Sequence, residues 1–334
     1  MHMADALLSP AVGGAMWAAS GAALALAARR VRAQDDERLV PLMGVLGAFV
    51  FAAQMINFAI PGTGSSGHLG GGLLLSILLG PSAAFVTLAS VLTVQALFFA
   101  DGGLLALGAN IFNLGVLACF VAYPLVYASL ARGQPSARRI ALACVAAAVV
   151  GLQLGALGVV LQTVSSDVSS LSAATFLWLM LPIHLAIGLV EGLATAAIVL
   201  FVRRTRPDLL ERASAPRRLL APALAGFAAA ALLTGGLLSW FASGDPDGLE
   251  WSLAGAAPAA ELPAPDTPVH RALAQAQERA ALLPDYDLPG VRAGDAGAPA
   301  SVVNPGTSLS GVVGGIATLL LLLGAGWLLK RRRR

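Results

Sequence analysis

The chain opens MHMADALLSP, which puts a histidine one peptide bond from the chain's own amine, and only four histidines occur in all 334 residues. Ring sizes define the chemistry available there. The terminal amine of Met1 and the amide nitrogen of His2 close a five-membered ring on a metal ion. That amide and the imidazole Nδ1 of His2 close a six-membered one. Three coplanar nitrogens result, and one further imidazole completes a square. A planar all-nitrogen set suits Ni2+ or Cu2+ and also holds Co2+. The amine, and usually the amide, must give up a proton to bind, so such a site weakens in acid. The glycine-rich stretch PGTGSSGHLGG (61–71) supplies a second candidate, His68. Its glycines tolerate positive φ, which allows tight turns and close approach of backbone to ligand. Taken alone, His68 reads first as a polar residue at the start of a helix, and only its place on the same face as His2 brings the ligand reading forward.

The elements that position these residues follow from composition. Apolar residues make up 57% of the chain and charged residues 12%, with a mean hydropathy of +0.79. Soluble domains carry about twice that charge fraction. The pattern is that of an all-α polytopic membrane protein embedded in a lipid bilayer, with no nucleic-acid partner implied by its pI of 9.3, because in such a chain the distribution of basic residues matters more than their sum. Apolar runs predict helices at about 10–28, 40–60, 69–80, 83–100, 104–131, 139–162, 172–202, 217–242 and 307–329. Placing Arg29 to Arg38 in the cytoplasm puts every basic residue but Arg271, Arg279 and Arg292 on that side. This holds only if 69–80 and 83–100 count as two passes, or as a re-entrant pair that returns to the same face. The N-terminus then lies outside and the C-terminus in the cytoplasm. The first segment has no basic residues before its apolar run, which fits an uncleaved span, and the bulky second residue disfavours removal of Met1. Cys119 and Cys144 fall inside apolar runs and imply no disulfide.

Other polar residues carry two readings each. His184 and Glu191 lie seven residues apart in helix seven, on one face. Ionisable groups inside a membrane helix are costly and usually face the protein interior, so this polar pair reads as part of an ion route or as hydrogen-bonding partners between helices. Asn57 at the end of helix two, Ser66 beside His68, and Asp101, Asn110 and Asn113 around the start of helix five are candidates to hydrogen-bond the metal ligands, or else to cap helix ends. His270, in the external tail, reads as a surface residue. The acids of that tail (Asp245, Asp247, Glu250, Glu261, Asp266, Glu278, Asp285, Asp287 and Asp295) read as solubility, with cation attraction as the sharper alternative.

Four blocks, MHMADALLSP, AAQMINFAIPGTGSSGHLGGGLL, QALFFADGGLLALGANIFNLG and IHLAIGLVEGLATA, resemble the CbiM/NikM family, the cobalt/nickel substrate-capture proteins of energy-coupling-factor (ECF) transporters. The resemblance covers about residues 1–205. It implies a seven-helix capture bundle with an external N-terminus and a metal held by the Met1 amine, the His2 amide and imidazole, and His68. Further along, SGDPDGLEWSL (243–253) and LPDYDLPG (283–290) resemble the PDGLE domain, which is similar in role to CbiN/NikN accessory subunits. Two further helices, 217–242 and 307–329, would then flank an external segment, 243–306, with a helical pattern near 268–282. A flexible loop and a compact unit remain equal readings of that segment. The division implied is 1–212 for capture and 213–334 for the accessory part, which would assist loading or fix the His68 loop.

The resemblance implies a bacterial inner-membrane transporter subunit for Co2+ or Ni2+, the transported ion and not a cofactor, with a cobalt role tying it to cobalamin synthesis. Lys330 is the only lysine and arginines follow it, so the chain has no Gly-rich loop ending in Lys-Ser/Thr to bind ATP. The chain is therefore not expected to be an enzyme. Energy would come from CbiO/NikO-like ATPase subunits through a CbiQ/NikQ-like coupling subunit. Two other classes stay in view: a passive nickel or cobalt permease, which needs neither a free amine nor His2, and an intramembrane hydrolase using Ser65 or Ser66 beside His68.

Overall fold

The computed structural model describes residues 2–34, 36–168, 171–210, 220–256, 265–288 and 304–331. Met1, Glu261 and Asp295, and with them the amine of the expected chelate, lie outside the described residues. Among the described residues the fold is all-α apart from one short hairpin. Its helices are α1 (Pro10–Ala33), α2 (Leu39–Gln54), α3 (Gly72–Leu79), α4 (Pro81–Phe98), α5 (Leu107–Leu130), α6 (Ala137–Ser166), α7 (Ala173–Thr205), α8 (Leu220–Gly236), α9 (Gly248–Ala256), α10 (Pro268–Ala280) and α11 (Pro305–Arg331). Among the described residues six of these, α1, α4, α5, α6, α7 and α11, are long and apolar enough to cross a membrane. Starts are set by local chemistry: Ser9, Ser136 and Ser172 each accept a hydrogen bond from a backbone N–H three residues on, and Pro10 follows Ser9, satisfying donors that a helix start leaves open.

α2 stops at Gln54 and does not run to residue 60 as predicted. Phe58–Ile60 instead pairs antiparallel with Ser65–Gly67 as a hairpin of strands β1 and β2. Asn57 therefore sits in the connection, where its carbonyl accepts from Ser243 N at 2.7 Å. His68 is likewise not at a helix start, because α3 begins only at Gly72.

α3 has eight residues, a rise of about 12 Å, well short of the ~30 Å hydrocarbon layer. Its last residues, Leu78 and Leu79, reach the end of the bundle where Arg38 pairs with Asp36 and Arg206 with Asp208. Its other end continues into Gly70 and Gly71, whose N–H groups donate to Glu191 Oε2 and Oε1 at 3.0 and 3.1 Å midway along α7. An irregular stretch and a short helix together thus make one traverse. Non-helical backbone at that depth is tolerated only when buried in protein, and here the Glu191 carboxylate answers both exposed donors. Gln54 adds a third bond, donating to Gly70 O at 2.9 Å, and itself accepts from Gln95 at 2.9 Å.

Small residues bring the helices close. Gly188 and Gly192 on α7 face α6, and a Cβ at 192 would stand 2.5 Å from Val145 Cα; a stripe of small residues four apart is the usual way for membrane helices to gain contact without a hydrophobic driving force. α8 and α11 lie against α2, with Gly44 and Gly47 facing Leu319 and Leu322.

At Gly71 φ is +75° and a Cβ would meet Val50 Cγ1 at 2.5 Å. Gly71→Ala therefore combines left-handed strain of about 1–2 kcal/mol with a clash, and is expected to lower the melting temperature of the detergent-solubilised protein by about 2–6 °C. An unchanged melting curve would mean that the loop is not held in this conformation.

Candidate metal site

The end of the bundle opposite the arginines holds the N-terminal segment, folded inward. Met3 is fully buried. Its N–H donates to Asn110 Oδ1 at 2.7 Å, and its carbonyl accepts from Asn110 Nδ2 at 3.2 Å and from Gly103 N at 3.0 Å. Asp5 Oδ1 accepts from Ala106 N at 2.9 Å, Asp5–Leu7 form one tight turn, and Leu7 and Leu8 are buried behind it. Asn113 lies just below. Its amide exchanges two hydrogen bonds with Gln162, at 2.8 and 2.9 Å, beneath the Met3 thioether.

This seat brings His2 to His68. Their rings stack with centroids 5.0 Å apart and planes 13° from parallel. His2 Nδ1 is 2.9 Å from Asp101 Oδ1, while His2 Nε2 is buried without a hydrogen-bond partner. His68 Nδ1 lies 3.1 Å from the carbonyl of Leu69. A carbonyl only accepts, so that nitrogen carries the proton and Nε2 carries the lone pair, the arrangement of a ligating histidine. Burial pushes His68 down to about 3, which keeps the ring neutral at physiological pH. Burial alone would raise the Asp101 carboxyl, but His2 and the hydroxyl of Tyr286 hold it below the usual carboxylate range. Ala100 (φ 55°) and Gly102 (φ 77°) bend the chain around Asp101.

A cavity at this end is lined by His2, His68, Asp101, Asp247, Glu250 and Tyr286 among others. Among the described residues no three His, Cys, Asp or Glu side chains converge on one point.

Of the residues singled out by the sequence, His2, His68, Asp101 and Asn110 are assembled in one place, with Asn113 one layer below. Ser66 serves a different purpose: its N–H and hydroxyl donate to Pro246 O and Asp245 O, each at 2.8 Å, fixing the accessory loop onto β2. Ser65 and Ser66 are fully buried, with hydroxyls spent on main-chain carbonyls, an arrangement without an activated nucleophile. His184 and Glu191 are not partners. Glu191 holds the His68 loop, and His184 Nδ1 bonds Met180 O at 2.8 Å.

Sequence reasoning missed the part played by the tail. His270 is buried and not a surface residue. Its Nδ1 meets the Thr267 hydroxyl at 2.7 Å, and its Nε2 lies 3.0 Å from Leu8 O and 3.2 Å from Asp5 O, so Nε2 bears the proton and clamps the N-terminal turn. Gln277 donates to Ala96 O and Gly102 O, and Tyr286 donates to Asp101. The run DGLE also has a local explanation. Asp247 Oδ1 accepts from Leu249 N and Glu250 N, and Glu250 Oε2 accepts from Asp247 N, a reciprocal capping box that starts α9.

Comparison with known proteins gives two family matches: "Cobalt uptake substrate-specific transmembrane region" (CbiM) over residues 2–209, and "PDGLE domain" over residues 221–331. A putative fused nickel transport protein NikMN of Archaeoglobus fulgidus is 35% identical over 96% of both chains. The fused nickel transport protein NikMN of Rhodobacter capsulatus is 34% identical over 65% of each, and the cobalt transport protein CbiM of Sorangium cellulosum is 34% identical over 66% of this chain and 99% of its own. Among solved structures, a truncated transition metal transporter superposes with a TM-score of 0.53 at 32% identity, covering 61% of this chain and 99% of that one.

Asn110→Ala leaves the buried N–H of Met3 without an acceptor, at a cost of about 1–3 kcal/mol. Amide exchange at Met3 is expected to quicken roughly ten- to a hundredfold, with helix cores unaffected. Exchange at the wild-type rate would show that Asn110 does not seat the segment.

Proposed function

We propose, for a chain that belongs to the CbiM family and carries a PDGLE domain behind it, that it is the metal-capturing membrane subunit of an ATP-driven ECF-type importer for Co2+ or Ni2+. As a member of that family it is a metal-transport membrane component, with at least six apolar helices. The observation that carries the finer reading is the meeting of His2 and His68, 5.0 Å apart, above an N-terminus folded into the protein. Chain ends ordinarily fray unless tied down, and here Met3 is held by Asn110 with Leu7 and Leu8 buried behind it, which supports a role for this segment.

In this reading the Met1 amine, the His2 amide and Nδ1, and His68 Nε2 form a planar nitrogen set at the external face. Nδ1 of His2 now faces Asp101, so loading exchanges that hydrogen bond for a bond to metal while Asp101 stays at hand to neutralise the incoming charge. The two histidines sit at the end opposite Arg38 and Arg206, which by the excess of arginine on cytoplasmic loops is the outer one. Separate ATPase and coupling subunits supply the energy, and the PDGLE part steadies the loading loop.

Three measurements test this. Full-length protein with its native N-terminus should bind Ni2+ tightly and show the visible absorption of planar Ni(II), whereas a variant extended by several residues before Met1 should lose at least about a hundredfold in affinity, roughly 2.7 kcal/mol. Equal binding by both would remove the amine from the site. Affinity should also fall as pH drops from 8 to 6, by about one to two decades per unit, because amine and amide must release protons. The His68 imidazole resonance should not titrate down to pH 5, since its pKa lies at about 3. A flat binding curve over that range would rule out the chelate.

A further inference from the structure

Two of the chain's three tyrosines, Tyr123 and Tyr127, stack near the end of α5, with ring centroids 5.8 Å apart and planes 19° from parallel. Tyrosine rings collect at the boundary between hydrocarbon and water, and this pair stands at the end of the bundle that carries the arginines. Both rings line a cavity of about 710 Å³, within the roughly 300–1,000 Å³ that ligand clefts span. Among the described residues neither hydroxyl has a hydrogen-bond partner.

The walls combine two chemistries. Ile77 of α3, Ile140 of α6, Val199 of α7 and Leu210 make one side apolar, and Arg203 of α7 is the one charged side chain among the lining residues. Arg203 Nη1 donates to Pro135 O at 2.7 Å, which ties the guanidinium to the turn between α5 and α6. A guanidinium has five N–H donors, and this bond uses one. Arg132, Arg138, Arg139 and Arg204 are exposed and lie within two residues of the lining in the chain. No Asp or Glu lines the cavity among the described residues, and nearby Asp208 is held by Arg206 through two hydrogen bonds. The cavity therefore favours an anion that also carries an apolar part. A guanidinium matches the geometry of phosphate oxygens, and basic pockets between membrane helices take anionic headgroups. A zwitterionic lipid would bring its ammonium against five arginines, and a small soluble anion would leave the apolar walls unused.

We propose that this cavity binds one anionic phospholipid, whose phosphate takes the Arg203 guanidinium and the Tyr127 hydroxyl while its acyl chains lie against Ile77, Ile140 and Val199. The site shares no residue with the metal site. It stands on the membrane character of the chain alone, and neither the capture reading nor the choice of metal enters it.

The test adds phosphatidylglycerol, or phosphatidylcholine with the same acyl chains, to the full-length, detergent-purified chain and counts bound lipid by native mass spectrometry. One phosphatidylglycerol per chain is expected, held at least about tenfold more tightly than phosphatidylcholine. Arg203→Gln should reduce that preference by at least about fivefold. Tyr127→Phe keeps the ring and its stacking and removes one hydrogen bond, so it should weaken phosphatidylglycerol by about three- to tenfold. It remains informative if Arg203→Gln fails to fold. Inorganic phosphate in large excess should leave the lipid bound; displacement by phosphate alone would make the ligand a soluble anion and overturn the lipid site. Equal retention of the two lipids, or retention indifferent to both substitutions, overturns it as well. Retention of neither lipid also overturns it, and leaves the cavity to a partner protein.

Discussion

The end of the bundle that holds the two histidines depends on the pair of hydrogen bonds between the Asn110 amide and the main chain of Met3. A primary amide presents one acceptor and two donors in a plane, so it can hold both the N–H and the C=O of a single residue and fix the direction of the chain there. That direction points the preceding residue, His2, at Asp101 and His68. Ordering a chain terminus costs conformational entropy, and the burial of Met3, Leu7 and Leu8 offsets it. Hydrophobic burial has no directional preference, however. The amide sets the register at which the histidine arrives.

Two carboxylates then align the second imidazole with the first. Glu191 receives the N–H groups of Gly70 and Gly71, a fork that fixes the loop just beyond His68. Asp101 takes His2 on one oxygen and Tyr286 on the other. Neither carboxylate is placed to neutralise an arginine. Both organise donors, as carboxylates do when they are far from water. The distinction matters for the site: the loop is anchored by Glu191 of α7 and the N-terminal histidine by Asp101, so the two imidazoles are set by independent parts of the fold.

Much of this was legible in the chain and some of it was not. Long apolar runs gave α1, α4, α5, α6, α7 and α11, because membrane helices must be both long and apolar. Hydropathy fails where an apolar run changes conformation without changing composition. Phe58-Ala59-Ile60 continues the apolar character of α2 yet forms a strand, and the punctuation that marks the change is Asn57 and Pro61-Gly62. The spacing of His184 and Glu191 suggested a pair, since the two share a face of α7. Glu191 instead takes Gly70 and Gly71 from a loop over a hundred residues away, while His184 bonds Met180 one turn back on its own helix. His270 looked like a surface residue because α10 is a polar helix, and nothing within that helix signals that Asp5 and Leu8 will cover it. Long-range burial of a polar group leaves no local trace.

Among the contacts of the accessory region with the site, three stand out: Pro246 on Ser66, His270 on the turn at Asp5 and Leu8, and Tyr286 on Asp101. These three contacts fall on the three structures that hold the imidazoles, namely the hairpin before His68, the segment after His2, and the carboxylate between them. Covalent fusion keeps the region at high effective concentration over the site, so weak individual contacts suffice. The consequence is reciprocal. If metal entering the chelate draws His2 Nδ1 away from Asp101, the hydrogen bond from Tyr286 and the docking it supports must change with it. By linkage, whatever free energy docking adds to metal affinity, metal must return to docking. A region that bonds to Ser66, to the turn at Asp5 and Leu8 and to Asp101 would, on that reading, be coupled to metal occupancy without touching the ion.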